Sequence, residues 1–337
     1  MNFPLGVGLL LVAAAMNGNF ALPMKYTKRW NWEITWFVYT VLALIIIPWS
    51  LAWIRVPNFC AIYASCRASE ILVPVMFGLG WGVAQVLYGL GISMLGLSLG
   101  NTIIVGIAAT LGAGIPLVVL HPDKVFAREG FCIFAGVFIM LFGIYYCSVA
   151  GRDRDAENLD SGLSMPRKRY GIALLICILC GILAPMMTLA LAFGTGVMHR
   201  AVARGVRADD ATYLVWALTF PAGALSSMFY CLKLMRKNNS WRQFTLTGTR
   251  AYWLLALAMS ILWYGGVMLY GISTLYLGAL GVPIAQTLFV IFVILAANGT
   301  GFLTGEWRGV SGQPIRSLAI GIGLLALACS VIAIGNQ

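Results

Sequence analysis

Long apolar runs alternate with short polar connections along the whole chain. Stretches almost free of charge cover residues 3–23, 34–54, 70–94, 98–120, 130–150, 170–193, 211–235, 251–274, 280–304 and 315–335. Each approaches the roughly 20 residues that a helix needs to cross the hydrocarbon core of a bilayer. A charge at the centre of such a helix costs about 2.5–3.5 kcal/mol on insertion scales, so runs without one mark membrane spans. The pattern predicts an all-α membrane protein of ten transmembrane helices. The first run has no basic segment ahead of it and no clear small-x-small site before Asn17, so it reads as helix one and not as a cleavable signal.

Composition agrees with this reading. Hydrophobic residues make up 61% of the 337 and charged residues 10%, against roughly 25% charged in soluble domains. A net charge of +11 does not imply nucleic acid here, because the basic residues lie in short connections between spans, where they set orientation. Connections 1–2, 3–4, 5–6, 7–8 and 9–10 hold 15 of the 22 Lys and Arg residues, and the opposite side holds the other 7. The heavier side is expected to be cytoplasmic, with both termini periplasmic. The 6–7 connection runs against this trend, with Arg200, Arg204 and Arg207.

The one long polar stretch, Gly151–Arg169, divides the chain near its middle. It predicts a first five-helix repeat over 1–150, a charged cytoplasmic linker over 151–169 and a second five-helix repeat over 170–337. An odd number of spans per half requires the second half to enter the membrane inverted, with the substrate site near mid-membrane where the halves meet. Self-similarity at an offset of 182 residues fits: Trp81 corresponds to Trp263, Tyr88-Gly89 to Tyr270-Gly271, and Leu95-Gly96 to Leu277-Gly278. Gly78-x-Gly80-x-Gly82 and Gly96-x-x-x-Gly100 predict close helix packing. Prolines 23, 48, 74, 116, 185, 221 and 283 lie near or within spans, where a lost backbone bond permits kinks.

Nothing points to an enzyme. The two histidines, His121 and His199, sit near span ends, no metal cluster or cofactor motif is present, and no G-x-x-x-x-G-K-[ST] phosphate loop offers ATP as an energy source. The eight cysteines read as core filler, with a weaker redox or metal reading for Cys177-x-x-Cys180 and a pairing reading for Cys60 and Cys66. Polar residues within the spans are uncharged: Asn17, Asn19, Gln85, Asn101, Gln286 and Asn298, together with Tyr88, Tyr264, Tyr270, Trp81 and Trp263. Amides exchange hydrogen bonds with sugar hydroxyls, and aromatic rings take a sugar's C–H face, so this set suits a neutral monosaccharide. Trp81, Gln85 and Tyr88 stand at i, i+4 and i+7 on one helical face. Each amide has an equally simple reading as interhelical glue, and each aromatic as an interfacial anchor. For proton coupling the candidate is Glu33, set among Trp30, Trp32 and Trp36; the competing reading is an acid at a helix start within an aromatic belt.

The run Lys28-Arg29-Trp30-Asn31-Trp32-Glu33-x-x-Trp36, followed by Pro48-Trp49, Pro57-Asn58-Phe59, Trp81-Gly82, Tyr88-Gly89-Leu90 and Leu95-Gly96-x-Ser98-x-Gly100, resembles the L-rhamnose/proton symporters of the drug/metabolite transporter superfamily. In the second half Met198-His199, Trp263-Tyr264 and Glu306-Trp307 extend the likeness. The resemblance implies ten helices in two inverted repeats and uptake of L-rhamnose or a related deoxy-sugar with a proton across the bacterial inner membrane. Its motif-matched residues are Trp81, Tyr88, Trp263 and Glu33. The sequence departs from those carriers at Asn17-Gly18-Asn19, after Gln85 and between Gln286 and Asn298, which leaves the sugar open. The alternatives are an exporter of lipophilic metabolites and a membrane sugar sensor without turnover. Sugar, proton and membrane lipid are the expected partners.

Overall fold

The computed structural model describes residues 2–95, 97–158, 167–278, 280–303, 305 and 307–335. Every regular element among them is helical, and ten helices are long and apolar enough to cross a membrane. In chain order these spans are Phe3–Met24, Trp32–Arg55, Ala68–Ile92, Thr102–Leu120, Arg128–Arg154, Gly171–Val202, Ala208–Asn238, Arg250–Tyr276, Gly281–Leu303 and Gly312–Gly335. They follow the hydrophobic runs closely, with one clear departure in the sixth.

That span continues past residue 193 as the helix Thr195–Val202. His199 and Arg200 make this turn look too polar for the membrane. Glu70 answers the charge: Arg200 donates from Nε to Oε2 at 2.5 Å and from Nη2 to Oε1 at 3.1 Å. A two-point ion pair of this kind lets an arginine sit at a span end. The charged stretch after the fifth span also begins as helix, since Arg128–Asn158 is continuous and the next helix starts at Arg167. Arg, Ala and Glu are good helix formers once water can solvate them.

Two prolines mark real breaks. Within the second span, Leu42–Ile46 is a π-helical turn just before Pro48, where the ring and the missing N–H displace the regular ladder. In the sixth, Arg167–Leu183 stops and a new helix starts at Met186, directly after Pro185. Pro74, Pro116 and Pro221 remain inside continuous helices.

The chain forms two compact units, and each takes segments from both sequence halves. The first comprises Met1–Val86 and Met186–Gly278, the second Leu87–Pro185 and Ala279–Gln337. In the first unit the third span meets the seventh backbone to backbone: a Cβ at Gly78 would lie 2.1 Å from the Thr219 carbonyl oxygen, and one at Gly82 would lie 2.3 Å from that of Gly223. At Gly80 it would meet the Met186 sulfur at 2.1 Å, which a flexible side chain can vacate. Gly78→Ala is therefore expected to destabilise by at least the ~1–3 kcal/mol typical of overpacking, and Gly80→Ala by less. Thermal unfolding in detergent checks the order; equal midpoints for the two variants would show that the backbones are not in firm contact.

In the second unit the fifth and tenth spans pack along most of their length. Gly136 and Gly143 receive Ile332 and Leu325, while Gly321 and Gly335 receive Cys147 and Cys132. Small residues here allow the close van der Waals contact that holds helices together where lipid supplies no hydrophobic drive. Cys177 and Cys180 are buried and form no disulfide, and the Cys177 sulfur fills the space left by Gly91. Cys60 and Cys66 form none either. Cys60 lies in the helix Phe59–Ser65 and Cys66 caps its end, and a helical separation of six residues holds two Cα atoms about 9 Å apart, beyond disulfide reach.

Candidate functional site

The seventh span carries Trp216 and Phe220 four residues apart, so both rings lie on one helical face. They stack at 5.0 Å with planes 3° apart. Around Phe220 the first unit gathers aromatics from two more spans: Trp81 at 5.7 Å, Trp263 at 5.1 Å and Tyr264 at 5.8 Å. Trp81 and Trp263 stack on each other at 5.6 Å, 24° from parallel. Tyr39 closes edge-on against Trp263 at 6.2 Å. Gly223 allows this approach, because a Cβ there would come within 2.6 Å of the Trp81 ring.

Polar groups reach the same cluster. Asn17 donates from Nδ2 to the Trp263 carbonyl at 3.1 Å, and Gly266 makes room for it beside the first span. Among the described residues four buried donors find no hydrogen-bond partner: the Trp216 indole N–H and the Tyr264 hydroxyl, both on rings of this cluster, the Thr40 hydroxyl elsewhere in the same unit, and the Trp307 indole N–H in the second unit. Each such group costs about 1–3 kcal/mol when it stays unpaired, so three of them in one unit call for an explanation. A ligand or water that arrives with acceptors supplies one.

Five of the candidate residues thus lie in the first unit's core: Asn17, Trp81, Trp263 and Tyr264 at the cluster, and Tyr270 buried further along the same helix as Trp263. The others are placed elsewhere. Asn19 donates to the Ala15 carbonyl and Asn298 to the Ile294 carbonyl, each within its own helix. Gln85 is partly buried on the third span, and Tyr88 is exposed. Gln286 is buried in the second unit, where Gly112 leaves space for its side chain. The side chain of Asn101 lies outside those described, as do Gly96 and Glu306.

Glu33 sits in the first turn of the helix Trp32–Val41 and is buried. Its Oε1 accepts from Ser240 Oγ at 2.8 Å, Asn238 Nδ2 at 3.0 Å and Asn31 Nδ2 at 3.3 Å. A helix start favours an acid by its dipole, and these donors tie the second span to the connection between the seventh and eighth. The three tryptophans beside Glu33 in sequence divide between two aromatic groups. Trp30 packs edge-on against Tyr252 and Trp253, and Trp32, exposed, stacks on Trp36.

Sequence reasoning missed Trp216, Phe220 and Tyr39 at the cluster, and the unpartnered Thr40 next to Tyr39 in the chain. The i, i+4 aromatic pair beside Pro221 was a usable signal, of the same kind that drew attention to the third span. Nothing in sequence distinguished Thr40 from other span threonines, since its lack of a partner depends on what packs around it.

The whole chain, residues 1–337, matches the family model described as L-rhamnose-proton symport protein (RhaT). Similar proteins named L-rhamnose-proton symporter occur in Escherichia coli, at 26% identity over 341 residues, and in Salmonella typhi, at 26% over 343 residues. One in Citrobacter koseri is also 26% identical over 343 residues. In each case the match covers 98% of this chain and 97% of the relative. With ten apolar helices and an end-to-end match, this multi-pass membrane protein belongs to the L-rhamnose-proton symport protein (RhaT) family.

Proposed function

We propose that the protein takes up L-rhamnose, or a closely related deoxy-sugar, together with a proton across the bacterial inner membrane. The observation that carries this reading is the full-length family match. The aromatic cluster of the first unit is the site we infer for the sugar. Trp81 and Trp263 offer ring faces for the sugar's C–H surface, and the Trp216 and Tyr264 donors, with the Asn17 amide, serve its hydroxyl oxygens. The cluster is closed around its own rings, so the sugar enters when alternating access opens it. Gln85, Tyr88, Asn101, Tyr270, Gln286, Asn19 and Asn298 remain candidates for contacts made in other states of the cycle. Glu33 is the proposed proton carrier. The protein acts as a carrier and not as an enzyme; the exporter and sensor readings have no observation of their own.

The architecture we infer is two inverted five-helix repeats, as in the drug/metabolite transporter superfamily, with both termini periplasmic and the heavier basic side cytoplasmic. Trp81 and Trp263 support the repeat. They occupy corresponding places in the third span of each half and stack directly on each other, as residues related by a two-fold axis do when they lie close to it.

The test is uptake by the purified chain in liposomes. Labelled L-rhamnose should accumulate when the interior is made alkaline relative to the bath, and unlabelled L-rhamnose should compete better than non-deoxy hexoses. Absence of both uptake and binding across a panel of deoxy-sugars would sink the proposal. Accumulation that ignores the pH gradient would remove the proton.

A further inference from the structure

Away from the aromatic cluster, the first unit has a cleft of about 460 Å³ between the end of the second span and the connection from the sixth span to the seventh. Its polar lining is Arg55, Asn58, Arg204, Arg207 and Asp210. These include two of the three arginines that break the charge asymmetry of the connections. Arg200 is accounted for by Glu70, which leaves Arg204 and Arg207 to explain.

The cleft is built by defined backbone. Asn58 holds a left-handed conformation at φ 55°, and Gly205 turns the short connection at φ 83°. The Val206 N–H closes that turn on the Ala201 carbonyl at 3.1 Å. Arg55 gives its Nε to Asp210 at 3.0 Å, and Arg207 gives Nη2 to Asp209 at 2.8 Å; the carboxylate beside it holds the Arg207 guanidinium above its usual pKa. Arg204 donates from Nη1 to the Ala61 carbonyl at 2.6 Å. Two guanidiniums are thus balanced by carboxylates, and Arg204 is bonded to a neutral carbonyl. The cleft carries one uncompensated positive charge, and a guanidinium with five N–H donors has several left after one bond.

The helix that ends in Arg55 fixes the depth. Trp49, Trp53 and Ile54 are exposed on it, Trp53 and Ile54 by 75% and 72%. Exposed tryptophans at a span end mark the boundary between acyl chains and headgroups. Guanidiniums grip phosphate oxygens in pairs, and apolar surface lies immediately membrane-ward of them. A neutral sugar has no use for the surplus charge.

We propose that this cleft binds the phosphodiester of an anionic phospholipid headgroup through Arg204, Arg207 and the spare donors of Arg55, with the acyl chains lying along Trp53 and Ile54. The bound lipid clamps the 2–3 connection to the 6–7 connection. This assignment is independent of which sugar the protein carries.

Native mass spectrometry of the full-length protein, titrated with dioctanoyl phosphatidylglycerol or dioctanoyl phosphatidylcholine, tests it. Phosphatidylglycerol should be retained at about tenfold lower concentration than the zwitterionic lipid. The R204Q/R207Q double variant should lose that preference, and R204K, which keeps the charge but not the paired donors, should keep only part of it. Because Arg204 also holds Ala61, R207Q alone is read in parallel; its side chain is 73% exposed, and it should weaken retention without disturbing the fold. Equal retention of both lipids by the wild type, or an undiminished preference in the double variant, would overturn the proposal. Displacement of phosphatidylglycerol by an equal concentration of inorganic phosphate would assign the cleft to a soluble anion and overturn the lipid as its ligand.

Discussion

Glu33→Gln is expected to abolish pH-driven accumulation of L-rhamnose while leaving sugar exchange intact. Glutamine keeps an oxygen where Oε1 now accepts from Asn31, Asn238 and Ser240, so the tie between the second span and the 7–8 connection survives. What it removes is the group that can alternate between charged and neutral forms. The accumulation ratio in proteoliposomes should fall to about one, as expected when coupling to the gradient is lost. Counterflow of labelled against unlabelled sugar should stay within about twofold of wild type, a change worth less than 0.5 kcal/mol. Full accumulation by the variant would move the coupling site elsewhere and reduce Glu33 to its structural tie. Glu33→Ala separates the two roles further, since it strands the buried Ser240 hydroxyl and the Asn238 amide at about 1–3 kcal/mol for each group left unpaired.

Trp263→Ala should eliminate uptake, and Trp263→Phe should only weaken it. Trp263 touches Trp81, Phe220 and Tyr39 through its ring and receives Asn17 on its carbonyl. Cutting the ring to a methyl group removes the stacking surface and opens a cavity, a change that costs roughly 3–5 kcal/mol in well-packed sites. Phenylalanine retains a ring but a smaller face. A stacked aromatic contact is worth about 0.5–1.5 kcal/mol beyond buried area, which corresponds to a rise of about 2- to 12-fold in KM. Thermal midpoints measured beside the kinetics separate loss of fold from loss of site. A Trp263→Phe protein with unchanged KM would place the sugar away from this ring.

These two residues show how differently the parts of the molecule could be read from sequence. Trp263 stood out through its correspondence with Trp81 at a fixed offset, in the third span of each half of the sequence. Glu33 stood out because carboxylates are costly in a membrane, yet the residues that hold it, Asn238 and Ser240, lie more than 200 positions away. No local spacing could have named them. Asn17 and Asn19, adjacent but for one glycine, looked alike in sequence. The fold separates them, because Asn17 crosses to the eighth span while Asn19 bonds its own helix.

The sequence by itself determined the solvent and the elements. Hydrocarbon tolerates neither charge nor unpaired backbone groups, so apolar runs of fixed length had to become helices, and ten of them follow from the hydrophobic pattern. Only the tertiary structure decided which of the polar and aromatic side chains meet. Phe220 is an ordinary core residue until Trp81, Trp216, Trp263 and Tyr264 are placed around it. The unpaired Trp216 and Tyr264 donors belong to rings packed against it, and those surroundings come from helices distant in sequence. Helix rotation is set by glycines and large side chains fitting across spans, and that fit is a property of pairs, which no single run of residues contains.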